Sequence, residues 1–227
     1  MIGQHIGQYQ LVRLLGEGGM GIVYEAVQAD LGRRVAIKVL RAEYAAHPQV
    51  ARRFRNEARA VHIVRHPGLV DIYELGCLDE GGAFIVMEYL EGEPLGRRLH
   101  RMGAMALRDA IRVARQIASP LAAAHARAVV HRDLKPENVM IVADPEVPGG
   151  ERIKVLDFGI AKLLDDQSGL QPEARTRTGM VIGTPRYMAP EQCHGGGAVN
   201  AAVDVYALGV VLFEMLAGRR PFPNASP

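Results

Sequence analysis

The chain has 227 residues, of which 48% are hydrophobic and 23% charged, and its formal net charge is +2. That composition excludes a disordered, collagenous or coiled-coil protein. The charge is too small to single out nucleic acid or an anionic membrane as a partner. A chain of this length, about one and a half average domains, buries a core without disulfides or metal. The longest apolar run, Val205 to Leu216, contains Glu214 and falls short of the ~18 residues a membrane span needs. The first residues carry no basic start and no apolar stretch, so no signal peptide is expected there. Cys77 and Cys193 stand far apart without metal-ligand spacing, which suits a reducing cytoplasm. Only four of the 27 basic residues are lysines, at 38, 135, 154 and 162. In a chain that defaults to arginine, each marks a candidate site for a compact ammonium.

The first part reads as strands over Tyr9–Leu15, Ile22–Val27 and Arg34–Leu40, with turns at Gly18-Gly19 and Leu31-Gly32. A helix follows from Pro48, with Val50, Phe54, Val61 and Val64 as its apolar stripe. Leu69–Leu75 and Ala83–Tyr89 read as two more strands. Beyond Leu90 the pattern turns helical. Leu107–Ala126 is Ala-rich, with Ile111, Ala114, Ile117 and Leu121 on one face, and Pro120 is expected to interrupt and kink it. Short strands follow at Val139–Val142 and Ile153–Leu156, then a polar loop over Leu164–Thr178, then an apolar helix over Asp204–Leu216 stopped by Gly218. A sheet-rich lobe (1–90) precedes a mainly helical one (91–227), which makes the class α+β.

Gly16-Glu17-Gly18-Gly19-Met20-Gly21 has the GxGxxG spacing. Dinucleotide sites share it, but they need a helix directly after the glycines. Here the β-prone Ile22-Val23-Tyr24 follows, giving a strand–loop–strand flap whose N–H groups can cover phosphates, or simply a glycine-rich hairpin. Lys38 lies inside the apolar strand Val35-Ala36-Ile37-Lys38, where an ammonium is costly without an anion. Glu57 falls on the buried stripe of the helix and is the candidate partner; the plainer reading is two partly exposed charges. His131-Arg132-Asp133-Leu134-Lys135-Pro136-Glu137-Asn138 crowds polar groups into one loop, and Asp157-Phe158-Gly159 follows the next strand. Such groups supply a base and oxygen ligands for Mg²⁺. Asp-Phe-Gly alone would be an ordinary strand-end turn.

Taken in order, these segments resemble a eukaryotic-type (Hanks-type) bacterial serine/threonine protein kinase, from Tyr9 to the C-terminus. Gly183-Thr184-Pro185-Arg186-Tyr187-Met188-Ala189-Pro190-Glu191-Gln192 adds to the likeness. The resemblance implies a bilobal fold and transfer of the γ-phosphate of Mg-ATP to Ser/Thr hydroxyls of protein substrates. It implies that Leu15, Gly16, Glu17, Gly18, Gly19, Met20, Gly21, Ile22 and Val23 cover the nucleotide. Of the adenine pocket, Leu15, Val23, Ala36 and Met140 would sandwich the base, with Met87 as gatekeeper and Glu88 and Leu90 as the hinge whose backbone bonds the adenine edge. Lys38, paired with Glu57, would hold the α- and β-phosphates; Asp133 would be the base, with Lys135 at the γ-phosphate and Thr184 near Asp133. Asn138 and Asp157 would hold Mg²⁺. Lys154 and Lys162 then read as surface residues. Thr176 and Thr178 resemble activation-loop phosphosites, which implies autophosphorylation through a transient homodimer.

The chain departs from the family at Pro120, Ala128 and Tyr206, and it stops at Pro227, where kinase C-lobes continue with further helices. On that reading the C-lobe is incomplete, and Glu191 is a buried carboxylate without its arginine. Two alternatives follow. One is a truncated non-catalytic module that binds ATP or a protein; the other, a nucleotide-binding oxidoreductase, fails on the strand after the glycines.

Overall fold

Period-two alternation of apolar residues builds the first part of the molecule. In the computed structural model, which describes all residues except 19–20, 42–43, 45–53, 55–57, 60–61, 79–81, 159–184, 194–199 and 223–227, six strands form one antiparallel sheet. They are β1 (His5–Ile6), β2 (Tyr9–Glu17), β3 (Gly21–Gln28), β4 (Arg34–Leu40), β5 (Ile72–Cys77) and β6 (Ala83–Glu88), in the order β1-β2-β3-β4-β6-β5. Tyr24 pairs with Ile37, Ala26 with Val35, Ile37 with Val86 and Val39 with Phe84. These side chains therefore share one face, and with Tyr9 and Leu11 they form the buried core of this sheet. Burying each large one is worth roughly 1.5–3 kcal/mol. Glu25 is buried too, but Arg13 and Arg34 each bond one of its oxygens. Burial alone would raise its pKa; the bonds from Arg34 and Arg13 outweigh that and hold the carboxyl below its ordinary range.

The chain forms two compact units, Met1–Arg65 with Val70–Leu90, and His66–Leu69 with Glu91–Pro227. The short exchange at His66–Leu69 has a backbone cause. Val155 N–H donates to the Gly68 carbonyl (2.8 Å), and Leu69 bridges Val155, so Leu69 does not open β5, which starts at Ile72. Of the helix expected after Pro48, the described residues Phe54, Ala58, Arg59, His62 and Ile63 are helical; Glu57 lies outside the described residues.

The second unit contains β7 (Gly92–Pro94), α1 (Leu95–Met102), α2 (Leu107–His125), a 3₁₀ turn (Pro136–Asn138), β8 (Val139–Ala143) and β9 (Glu151–Val155). A second 3₁₀ turn (Pro185–Tyr187), α3 (Pro190–Cys193) and α4 (Ala202–Ala217) follow. β7, β8 and β9 form a small antiparallel sheet. The strand β7 and the helix α1 have too few periodic residues to be seen in the sequence. Gly218 ends α4 in the left-handed conformation (φ 65°), donating to the Glu214 carbonyl.

α2 corrects two expectations. It runs unbroken through Pro120, whose buried ring lies against Gly68: a Cβ on Gly68 would stand 3.1 Å from that ring and 3.1 Å from His66 Nδ1. Its buried face is Ala110, Val113, Ile117, Pro120, Leu121 and Ala124; Ile117 and Leu121 fall on it as expected, while Ile111 is exposed and Ala114 half-buried. Among the described residues, no helix is long and apolar enough to cross a membrane.

Candidate active site

In the first unit the β2–β3 turn carries the glycines. Gly18 N–H donates to the Gly21 carbonyl (2.9 Å), and Arg41 ties the turn down through Glu17 (2.9 Å) and the Gly18 carbonyl (3.3 Å). Only one described glycine of the three in the motif is required by packing. A Cβ on Gly21 would stand 2.8 Å from the Val39 carbonyl oxygen and 3.4 Å from Lys38 Cγ, so glycine lets the Lys38 stem pass. Gly16 has nothing within 4 Å and Gly18 only an ordinary contact at 3.7 Å. Packing inside the domain therefore does not require glycine at those two positions.

Sheet register assembles the next candidates. Val23 lies opposite Lys38, and Ala36 opposite Met87, on the face turned away from the sheet's core cluster. Ala36 and Met87 are buried; Ile22, Val23, Lys38, Glu88 and Leu90 are half-buried; Leu15 and Glu17 are exposed. Glu88 N–H is already engaged by the Asp71 carbonyl (2.9 Å). Gly19 and Met20 lie outside the described residues.

In the second unit the polar loop before β8 is folded around Asp133. Lys135 Nζ bonds Asp133 Oδ2 (2.8 Å), and Asn138 Nδ2 donates to the Asp133 carbonyl (2.9 Å) and to Oδ2 (3.2 Å). With Nδ2 spent on Asp133, Oδ1 is the atom of the Asn138 amide that could act as an oxygen ligand to a hard cation such as Mg²⁺. Asn138 also fixes the neighbouring strand end, since Leu156 N–H donates to its carbonyl (2.8 Å). Asp157 follows directly, in a left-handed conformation (φ 42°). Met140 is half-buried on β8, opposite Lys154.

Three residues hold this loop that the sequence did not single out for it. His131 is fully buried, donates from Nε2 to the Leu156 carbonyl (2.8 Å) and stacks at 4.7 Å from the Phe158 ring. Its Nδ1 faces the Asp133 N–H (3.3 Å), so the neutral tautomer fits both neighbours. Asp204, also fully buried near the start of α4, accepts from His131 N (2.7 Å), Arg132 N (2.8 Å) and His125 Nε2 (2.7 Å). Gln192 on α3 donates to the Arg132 carbonyl (3.0 Å). A charge in the apolar run Ala201-Ala202-Val203-Asp204-Val205 was the available signal for Asp204, by the same logic that picked out Lys38.

The constellation sets a carboxylate held by a lysine beside an amide, and a second carboxylate, Asp157, directly after Leu156, whose N–H bonds the Asn138 carbonyl. Such a donor set could supply a base and oxygen ligands for a hard cation. A model of the protein kinase domain matches residues 9–227. The chain belongs to the protein kinase family.

This kinase domain is 45% identical to the serine/threonine-protein kinase PknA of Mycobacterium tuberculosis, over 95% of its own length and 48% of that protein. It is 43% identical to PrkC of Bacillus subtilis, over 100% of the chain and 33% of that protein. The chain thus spans half or less of the length of these curated relatives. Among solved structures it is similar to the kinase domain of M. tuberculosis PknI, with a TM-score of 0.75 and 28% identity, covering all of this chain and 81% of that one. The fold of the domain is the kinase fold, a mixed α+β architecture.

Two expectations are overturned in this kinase domain. Lys154 is not a surface residue: it is buried on β9 between the buried Ile153 and Val155, and Nζ bonds the Leu69 carbonyl (3.2 Å). Glu191 is exposed, so it is not a buried carboxylate lacking a partner. Thr176, Thr178 and Thr184 lie outside the described residues.

Burial pushes the His131 imidazole below its ordinary pKa of about 6.5. Between that value and the lower one in the fold, the unfolded chain binds the proton and the folded chain does not. The stability owed to neutral His131 is therefore complete above about pH 6.5 and is lost as pH falls through the folded value. His66, lowered by burial as well, acts in the same direction. Urea midpoints should fall from about pH 7.5 to about 5, and the fall should be shallower in His131→Phe; an equal fall in both proteins would remove His131 as its source.

Proposed function

We propose that this domain transfers the γ-phosphoryl group of ATP to serine and threonine hydroxyls of proteins. The observation that carries this is the Asp133–Lys135–Asn138 cluster, in which one carboxylate is aligned by two neighbouring donors. Gly16, Gly18, Gly21 and Lys38 would hold the phosphates, with Glu57 as the partner of Lys38. Leu15, Glu17, Gly19, Met20, Ile22, Val23, Ala36, Met87, Glu88, Leu90 and Met140 would line the rest of the nucleotide site. Asn138 and Asp157 would hold Mg²⁺. Bound Mg-ATP supplies the transferable phosphoryl group and offsets its charge.

The chain's own residues do the rest. Asp133 takes the proton from the substrate hydroxyl. Lys135 is the cation that meets the γ-phosphate, and Thr184 aligns the substrate segment beside Asp133. Catalysis of this kind is mainly positioning and charge stabilisation, which the bonds around Asp133 favour. The expected setting is the cytoplasm, which supplies ATP.

We further propose autophosphorylation of Thr176 or Thr178 in a transient homodimer, ordering their segment through arginine contacts. After incubation with Mg-ATP, mass spectrometry should find phosphate on one of the two threonines. A fully active chain with neither modified would contradict it. Activity itself is tested by label transfer from γ-labelled ATP to a protein acceptor, with Asp133→Asn as the control.

A further inference from the structure

We propose that Gln192 is a positioning residue for the catalytic loop, its side-chain amide holding the peptide that carries Asp133. The inference rests on the kinase reading above, in which Asp133 is the base. Gln192 lies 60 residues from the loop in sequence and bonds it through one atom, Nε2 to the Arg132 carbonyl at 3.0 Å. Its other amide atom, Oε1, accepts from Ala189 N–H (3.0 Å), and its own N–H donates to the Ala189 carbonyl (2.9 Å). The amide orientation is fixed by chemistry: Ala189 N–H only donates and the Arg132 carbonyl only accepts. The side chain is thus anchored at one end before it reaches the loop.

The target peptide is strained. Arg132 is a non-glycine residue in the left-handed region, with φ 64°. Such a conformation persists only where its surroundings over-determine it. Here both polar groups of its backbone are held from outside the loop, the N–H by Asp204 (2.8 Å) and the carbonyl by Gln192. The Arg132 carbonyl belongs to the same planar peptide as the Asp133 N–H, which bonds the His131 carbonyl (2.9 Å) on the other side. Gln192 therefore sets the tilt of that plane, and with it the direction in which the Asp133 side chain leaves the backbone.

Two variants separate this from a general structural role. Gln192→Glu keeps the acceptor for Ala189 but sets a carboxylate oxygen against the Arg132 carbonyl. Gln192→Leu removes both bonds and carries the test if the Glu variant does not fold. Hydrogen exchange should quicken at the amides of 131–133 in either variant, while those of α2 stay as in the wild type. The kcat for phosphorylation of a protein acceptor should fall ~10- to ~100-fold, the scale of a misplaced reacting group. KM for ATP should stay within about 2-fold, since no nucleotide contact is assigned to Gln192.

The Glu variant adds a signature that simple loosening would not give. A protonated carboxyl is an O–H donor and restores the bond, so the kcat deficit of Gln192→Glu relative to wild type should narrow as pH falls. The deficit of Gln192→Leu should not. Unchanged exchange at 131–133 in a folded variant would overturn the proposal, and so would a kcat deficit independent of pH in both. If the wild-type chain transfers no phosphate, the activity proposal fails by itself, and the exchange comparison still decides the role of Gln192.

Discussion

Asp204→Ala is expected to destabilise the second unit by about 3–5 kcal/mol, the cost typical of removing one partner from a buried charged network. The carboxylate is wholly enclosed and accepts three hydrogen bonds, two of them from the consecutive backbone amides of His131 and Arg132. Alanine leaves those amides and His125 Nε2 without an acceptor in a closed space. Each orphaned buried donor costs about 1–3 kcal/mol. Asp204→Asn should fare little better, because its NH₂ must face at least one N–H. Urea denaturation measures the loss. A drop under about 1 kcal/mol would mean that the loop does not depend on α4 for its shape. Activity should fall with stability, since His131 and Arg132 lead directly into Asp133.

The second large effect is on the chemistry. Asp133→Asn retains the size of the side chain and removes the base. General base catalysis contributes ~10²- to ~10⁴-fold, so kcat should fall by about that factor while the fold persists. Asparagine also sets an amide against Lys135 Nζ and Asn138 Nδ2, both of which donate to Asp133 Oδ2. A small loss of stability is therefore expected beside the large loss of rate. A variant with near wild-type kcat would remove Asp133 from its proposed role. Lys38→Met should also abolish transfer, through weakened phosphate binding rather than lost proton transfer.

The two effects also show what a sequence can and cannot reveal. Lys38 and the loop of Asp133 were legible because charge stood where it is costly or crowded, and the order of the motifs did the rest. The first strands were legible because alternation is a local signal, and β3 and β4 match their expected spans closely. Asp204 and Gln192 were not legible as loop supports, since they act on backbone groups 60 to 73 residues away. No spacing rule reports a side chain bonding a distant peptide. Lys154 was misread because its partner is also a backbone carbonyl, that of Leu69, 85 residues earlier. On α2 the expected stripe held at Ile117 and Leu121 but not at Ile111, because Ala110, Val113, Pro120 and Ala124 complete the buried face. Composition bounded the problem, but tertiary hydrogen bonds placed the loop.

The most direct test of the kinase reading is transfer of label from γ-labelled ATP with Mg²⁺ to a protein acceptor, using this 227-residue chain. The wild-type chain should label serine or threonine, with Asp133→Asn and Lys38→Met reduced at least ~10²-fold. A folded wild-type chain that binds ATP but transfers no phosphate would contradict the account and identify a non-catalytic kinase-like module.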